Sequence, residues 1–412
     1  MRRPKVISLF SGAGGLDYGF EAAGFTTSVA LEIDADSCAS LRASRPRRRV
    51  INEDIFAVTT KQLLETANLR AGEADVLIGG PPCQPFSKAG YWARGDSARL
   101  NDPRANTLAA YMSVVEEALP AVFLLENVEG LAFAGKDEGW KFLLAQIEGI
   151  NRRTKSDYAP VMKKLDAAHY GVPQHRERVI IVAARSGEQF RFPEPTHGDT
   201  RGDGPLFASQ LDRYRTAWDA IGDVQPDPSE VLDLRGKWAA LLPSIPEGSN
   251  YLHHTDRGEG LPLFGWRRRF WTFLLKLAKN RPSWTLQAQP GPAVGPFHWS
   301  NRRLSTRELC RLQTFPDDVI IKGGRTSIQR QLGNAVPSLL GEVLGRAIST
   351  QLLGRRRLTS PLRLLPPDRS PAPSPEPVMP VPSELARLAG KHAAHPGTGK
   401  GYGAAARAEA AT

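Results

Sequence analysis

The chain has 412 residues, enough for two domains with sizeable cores, and carries 54 Lys and Arg against 43 Asp and Glu, a formal charge of +11. That balance favours a polyanionic partner, although the nine basic and four acidic residues after position 350 supply +5 of it, so an inference to nucleic acid rests on the remainder. Three cysteines in so long a chain exclude a disulfide framework and fit a reducing cytoplasm, while apolar runs no longer than a strand argue against a membrane span or an export signal.

Residues 5–10 (KVISLF) read as a short apolar strand, followed by the turn SGAGG at 11–15 and a helical stretch over 16–23. A second strand at 27–33 ends around Glu32 and Asp34. The pattern recurs where ADVLI at 74–78 runs into Gly79, Gly80 and two prolines, and where AVFLL at 121–125 runs into Glu126 and Asn127. VIIVA at 179–183 is a further buried-strand candidate. Apolar strands separated by helical segments imply a parallel sheet covered on both faces, with ligands beyond the strand carboxyl ends, where these polar clusters fall.

From about Phe192 to Ser300 the texture changes. Six of the eight tryptophans lie there, with many Gly and Pro and the basic run Arg267, Arg268 and Arg269. A second, smaller and loop-rich domain is expected. Residues 304–314 and 338–353 look helical and should return the chain to the first domain. Nine prolines between Pro361 and Pro382, then an Ala and Gly rich end, predict a disordered tail with at most one marginal helix at 383–389. The expected plan is 1–195 and 301–357 for the larger domain, 196–300 for the smaller, and 358–412 for the tail.

The turn at 11–15 puts small residues between a strand and a helix, where backbone can approach a ligand and helix amides are unsatisfied. It is not the dinucleotide pattern, because Asp17 stands where the third glycine would be. Glu32, twenty residues after Gly12, is placed to bind ribose hydroxyls, and Asp54 could accept from an adenine amino group. A nucleoside-containing cofactor follows. GGPPCQPFS at 79–87 makes a stiff turn after a strand and presents Cys83 at the same edge, whereas Cys38 and Cys310 read as small core residues. A thiolate needs an electrophile. Cytosine C6 becomes one when N3 receives a proton or a strong hydrogen bond, which Glu126 can supply as an acid. In QHRER at 174–178, alternation places Gln174, Arg176 and Arg178 on one side, as donors for the cytosine O2 and a phosphate, with His175 and Glu177 on the other and Glu177 left to pair with a basic neighbour. Adjacent His253 and His254, with no cysteine nearby, do not make a metal site, and no metal is expected.

These motifs together resemble the DNA cytosine-5 methyltransferases, above all those of bacterial restriction-modification systems. The matching stretches are SLFSGAGGLDYGFEAAGF at 8–25, GGPPCQPFS at 79–87, ENV at 126–128, QHRER at 174–178, RRLSTRELCRLQTFP at 302–316 and QLGNAVP at 331–337. The resemblance covers about residues 5–350. It implies a Rossmann-like, mostly parallel α/β sheet that binds S-adenosylmethionine, with a smaller domain for target recognition. Phe10, Gly12, Gly14, Glu32, Asp54, Asn334 and Val336 would then hold the cofactor, and Pro82 would orient the catalytic loop. Cys83 would be the nucleophile, Glu126 would act at N3, and Arg176 and Arg178 would hold the loop and base. Gln84 and Ser87 would begin a loop that closes over flipped DNA, while Arg267, Arg268, Arg269, Arg257 and Gln287 would meet bases or phosphates. Double-stranded DNA is the implied partner of a cytoplasmic, nucleoid-associated monomer, with a cognate restriction endonuclease as genetic rather than physical partner. Three rivals differ in reaction, substrate or the presence of catalysis. An amino-group methyltransferase needs no thiol after its proline motif, a transfer RNA cytosine-5 enzyme would lack so long an insert, and a noncatalytic binding module would not assemble a cofactor pocket around a cysteine.

Overall fold

The computed structural model describes residues 2–82, 105–127, 138–199, 211–265 and 270–390. Cys83, Gln84, Ser87, Arg267, Arg268 and Arg269 lie outside these residues. Seven strands, β1 (Lys5–Leu9), β2 (Thr26–Glu32), β3 (Val50–Asn52), β4 (Val76–Gly79), β5 (Val122–Asn127), β6 (Val161–Asp166) and β7 (Glu177–Ala184), form one sheet in the order β3-β2-β1-β4-β5-β7-β6. From β3 to β5 the strands are parallel; β7 runs antiparallel to both β5 and β6. The sheet is therefore mostly parallel, with a reversed strand near one edge. That reversal brings the start of β7 to the edge where the parallel strands end.

The helices are α1 (Gly15–Ala22), α2 (Ala35–Ser44), α3 (Thr60–Ala67), α4 (Ala105–Ala118), α5 (Glu138–Thr154), α6 (Ala217–Ile221), α7 (Thr306–Leu312), α8 (Arg325–Asn334), α9 (Ser338–Gln351) and α10 (Ser383–Ala386). Strand alternation divides the sheet between two cores. Leu77, Phe123 and Ile181 face α3, α4 and α5, while Val76, Ile78, Val122 and Ile180 face α1 and α9. Each such fully buried side chain contributes about 1.5–3 kcal/mol by leaving water. The helix α9 carries residues from the far end of the chain onto α1, and glycine makes the approach possible. A Cβ on Gly19 would stand 2.3 Å from the Ser338 carbonyl oxygen and 2.6 Å from the Gly341 Cα, so no other residue fits there.

Between 211 and 300 the described chain is mostly irregular. One group of its residues, Trp238, Leu241, Leu242, Tyr251, Phe264, Phe273 and Leu274 among them, makes a separate core. Another, Ala217, Ile221, Leu277, Leu286 and Trp299, packs instead with α7, α8 and Tyr18 of the larger domain.

The tail departs from the sequence expectation. Residues 358–390 form a strap over both domains rather than a disordered segment. Leu362, Leu364 and Leu365 pack on the α1/α9 core, and Leu385 of α10 enters the small-domain core. Three buried charges of the body find partners there. Glu342, wholly buried, accepts from the Arg363 and Leu364 amides at 2.9 and 3.0 Å. Asp219 accepts from the Arg369 amide at 2.7 Å, and Lys279 Nζ donates to the Ser374 carbonyl at 3.0 Å and to Glu376 at 2.8 Å. Composition failed as a guide because the prolines need no internal hydrogen bonds, and the strap's partners lie elsewhere in the chain.

A chain ending at Arg357 would leave those buried groups short of partners, at about 1–3 kcal/mol for each unsatisfied group. It is expected to unfold at lower denaturant concentration than the whole chain. Leu385→Ala alone should cost about 2–3 kcal/mol. Chemical denaturation followed by circular dichroism checks both, and identical midpoints for all three proteins would show that the strap contributes nothing.

Candidate active site

Register decides what meets at the carboxyl edge of the sheet. Leu9 pairs with Leu31 and Gly79, and Gly79 with Leu125, so the residues that follow, Phe10, Glu32, Gly80 and Glu126, emerge side by side. Asn127 lies opposite Val179 on β7, which brings Arg178 to the same edge. A cavity of about 400 Å³ opens there. Phe10, Gly12, Glu32, Pro82, Glu126, Arg178, Asn334 and Val336 all line it, together with Ser8, Asp17, Ile33, Asp34, Asn127 and Arg330.

On the cofactor side, the chain leaves β1 through Phe10 at φ 51, a left-handed conformation uncommon for a residue with a side chain and typical of functional turns. Gly12 is also left-handed, and a Cβ there would meet nothing within 4 Å, so the turn leaves open space over its backbone. Glu32 holds the turn in place. Its Oε2 accepts from the Gly12 amide at 2.7 Å and its Oε1 from the Asp34 amide at 2.9 Å. Burial raises the Glu32 pKa against the opposing pull of those amides. Asp34 in turn caps α2 through the Ser37 amide and pairs with Arg330 at 2.6 Å, which docks α8 against the cofactor side. Ile33, 63% exposed at the cavity wall, offers an apolar surface for a flat ring. Sequence reading passed over Ile33 and Arg330: an isolated exposed isoleucine after a strand and an arginine on a polar helix carry no local signal.

On the opposite wall, Arg178 Nε stands 2.7 Å from Glu126 Oε1, both side chains being largely covered. Gly80 fits under the other carboxylate oxygen, since a Cβ there would lie 2.7 Å from Glu126 Oε2. The Pro82 carbonyl accepts from the Thr107 hydroxyl at 3.4 Å, which ties the end of the proline turn to α4.

Four expected residues, Gly14, Asp54, Gln174 and Arg176, stand outside the cavity wall. Gly14 is left-handed at φ 90 and backs onto Leu41 and Tyr18, so it shapes the turn from behind. The Asp54 carboxylate accepts from the Phe56 amide at 3.1 Å and caps a short helical turn. Arg176 is 1% exposed, and its guanidinium donates to the carbonyls of Leu286 at 3.3 Å and Gly333 at 2.8 Å. Gln174 is likewise turned inward, donating to the Leu312 carbonyl at 3.2 Å and accepting from the Leu286 amide at 3.0 Å. The alternation along 174–178 holds, with His175 and Glu177 outward and Lys164 3.0 Å from Glu177. Of the three inward donors, however, two serve buried carbonyls and only Arg178 reaches the cavity. Cys38 and Cys310 are buried, and burial pushes their thiols up to about 11 and about 12. Among the described residues no group of His, Cys, Asp and Glu could hold a metal ion, and no helix is long and apolar enough to cross a membrane.

A turn of open backbone beside an acidic strand end, with an apolar edge and a volume suited to a small ligand, fits a nucleoside-bearing amino acid. This sheet with its reversed β7 and the cavity at its carboxyl edge are those of the S-adenosylmethionine-dependent methyltransferases. Residues 4–350 match the family described as C-5 cytosine-specific DNA methylase, and the chain belongs to that family. It methylates C5 of cytosine in DNA and takes the methyl group from S-adenosylmethionine. Among its relatives, the Type II methyltransferase M.SacI of Streptomyces achromogenes is 41% identical over 84% of this chain and 93% of its own. M.NgoFVII of Neisseria gonorrhoeae is 34% identical over 81% of this chain and 83% of its own. A solved structure of a Spodoptera frugiperda DNMT2 variant superposes with a TM-score of 0.57 at 16% identity, over 84% of this chain and 99% of that one, a likeness of fold alone.

Gly80 provides a test of the geometry. Gly80→Ala would press on the movable end of the Glu126 side chain rather than on backbone, so the protein should fold while the carboxylate shifts. The expected result is a fall in kcat of about tenfold or more with nearly unchanged cofactor affinity. Calorimetry and single-turnover methyl transfer measure the two, and a normal kcat would show that the position of Glu126 is not critical.

Proposed function

We propose that the cavity holds S-adenosylmethionine between the 10–15 turn and the 334–336 segment, and that a cytosine flipped from duplex DNA enters from the Glu126 side. The observation that carries this reading is the convergence of Glu32, Pro82 and the Glu126–Arg178 pair on one cavity, with Cys83 one peptide bond beyond Pro82. Phe10, Gly12, Asn334 and Val336 form the cofactor's walls and Glu32 receives its ribose hydroxyls. When bound, the cofactor supplies a methyl group made electrophilic by its sulfonium. The Cys83 thiolate adds to C6 while Glu126 donates a hydrogen bond to N3, and Arg178 holds Glu126 and the O2 edge of the base. C5 then carries the electron pair that accepts the methyl group. A base removes the C5 proton, and elimination restores the double bond and the thiolate. Flipping is required because C6 and C5 cannot be approached along these paths inside the stack.

Arg176 acts at one remove in this scheme: by holding Leu286 and Gly333 together it joins the recognition and cofactor segments. The 84–104 loop, with Gln84 and Ser87 at its start, closes over the DNA. The 196–300 region faces the duplex with Arg267, Arg268 and Arg269. The enzyme works as a monomer on DNA in a bacterial cytoplasm. Its Type II relatives suggest a restriction-modification system, in which a cognate endonuclease would be a genetic rather than a physical partner. Bisulfite sequencing of DNA modified by the purified enzyme identifies both the base and the site, and modification of transfer RNA but not duplex DNA would replace this reading.

Cys83→Ser protein is expected to bind cofactor normally, to lose methylation and to form no covalent complex with DNA containing 5-fluorocytosine. Glu126→Gln should lower the rate by a factor on the order of 10² with cofactor affinity retained. Covalent trapping by the serine variant, or equal loss of cofactor binding in the glutamine variant, would overturn the respective assignment. Recognition should separate from chemistry. Replacing Arg267, Arg268 and Arg269 by alanine should weaken duplex binding and flatten its dependence on salt, leaving cofactor binding intact. A salt titration with parallel calorimetry checks this, and unchanged DNA binding with lost cofactor binding would refute the division.

A further inference from the structure

Two tryptophans near the small-domain core stand in solvent although other indoles of the region are covered. Trp238 and Trp299 are buried in hydrophobic clusters, whereas Trp271 and Trp284 are 39% and 42% exposed. Their ring centroids lie 5.1 Å apart with the planes at 70°, so they form one aromatic surface. The part of this paired surface that faces water is aromatic area available to a ligand.

Its place in the fold names the ligand. Trp284 follows Ser283, which pairs with the segment entering β7: the His175 amide donates to the Ser283 carbonyl at 2.9 Å, and the Ser283 amide to the Pro173 carbonyl at 2.8 Å. The Thr285 hydroxyl donates to the His175 carbonyl at 2.6 Å. Trp284 is thus fixed by backbone to the strand that, three residues after His175, presents Arg178 to Glu126. The rings continue along this line, with His175 6.3 Å from Trp284 and Tyr214 5.4 Å from His175. His175 is itself held by Asp166 at 2.8 Å. In sequence, the basic run Arg267 to Arg269 precedes Trp271 by two residues. An aromatic shelf joined to the cytosine-side wall of the cavity, and following a basic run, suits a nucleic acid strand at the point where its stack is broken.

We propose that Trp271 and Trp284 form a stacking shelf for the nucleotide adjoining the flipped cytosine. Withdrawing the target exposes the face of the neighbouring base, and an indole replaces the lost stacking partner without regard to base identity. The shelf therefore promotes flipping rather than sequence choice. This inference rests on the reading that the 196–300 region meets the duplex, and the two are separable by salt. Arginine contacts to phosphate set the slope of binding against salt concentration, whereas an uncharged ring alters affinity at constant slope.

The test uses the full-length enzyme and a duplex carrying the methylated site, with 2-aminopurine in place of the target cytosine to report flipping. Trp284→Ala and Trp271→Ala should each weaken duplex binding about tenfold. They should also reduce the fluorescence gain on binding, with an unchanged salt slope and normal cofactor calorimetry. Trp284→Phe should recover most of both signals because the aromatic face is kept. Wild-type affinity and fluorescence in both alanine variants would overturn the shelf, as would a phenylalanine variant no better than alanine. If the alanine variants behave as wild type while the arginine variant loses affinity and slope, the shelf alone falls. If neither set affects binding, the reading of the small domain falls with it.

Discussion

Antiparallel pairing of β7 with β5 is the constraint on which the Glu126–Arg178 wall of the cavity depends. In a wholly parallel sheet the QHRER segment would enter its strand at the amino edge, a full strand length of about 3.3 Å per residue away from the ligand. Because β7 is reversed, Asn127 faces Val179 and the chain reaches the carboxyl edge with Arg178 already beside Glu126. The same reversal sends Gln174, His175 and Arg176 beyond the sheet, where they meet the 283–286 segment. One topological choice thus joins Glu126, Arg178 and the 283–286 segment.

That junction is maintained at considerable cost. Burial, and to a lesser degree the charge of Arg178, push the Arg176 guanidinium well below its ordinary pKa, against the pull of Glu126. Among the described residues this buried cation bonds to carbonyls rather than to a carboxylate, so those carbonyls cannot drift apart without leaving it unsolvated. Leu286 lies two residues after Trp284, and Gly333 stands near the end of α8, next to Asn334 of the cavity wall. Gly333 is itself pressed against the backbone of Gln287 and Ala288, where a Cβ would stand 2.4 Å from the Ala288 Cα. Arginine and glycine at these points specify one arrangement of the two segments by excluding the alternatives.

The parts of the fold legible in the sequence were those whose residues are buried by local pattern alone. Short stretches rich in apolar and β-branched residues identified β1, β2, β4, β5 and the core of β7, and the polar residues just past them identified the edge at which the cavity lies. β3 escaped because it has only three residues, and β6 because an edge strand exposes Lys163 and Lys164 to water and so has no apolar run. The alternation in 174–178 was legible, but what the inward donors meet was not, since Leu286, Leu312 and Gly333 are more than a hundred residues away. Asp54 and Gly14 show the converse. Their residue types suit a ligand site, and in the fold both also meet local backbone demands. The strap was misread for a related reason: disorder was inferred from what the segment could bury by itself, whereas Leu385 and the amides of Arg363, Leu364 and Arg369 complete cores and carboxylates belonging to other parts of the chain.

The strap also bears on how the two cores are joined in one molecule. The seven-stranded sheet is braced by continuous backbone hydrogen bonding, so its edge has little freedom to adapt to a duplex. Around the small-domain core, by contrast, the described residues are mostly irregular, and many bonds that secure them to the rest pass through side chains: Arg213 to Asp219 and Asp368, Arg369 to Asp219, and Lys279 to Glu247 and Glu376. Burial alone would raise the Asp219 carboxyl, but Arg213 and the Thr216 and Arg369 amides bring it below the usual range, so it stays ionised and paired across the physiological span. Contacts of this kind are short in range and can exchange partners singly, unlike a sheet register, which must slip as a whole. The seam that the strap crosses is therefore the more adaptable part of the molecule, while the spacing of Glu126 and Glu32 is set by the register of the sheet.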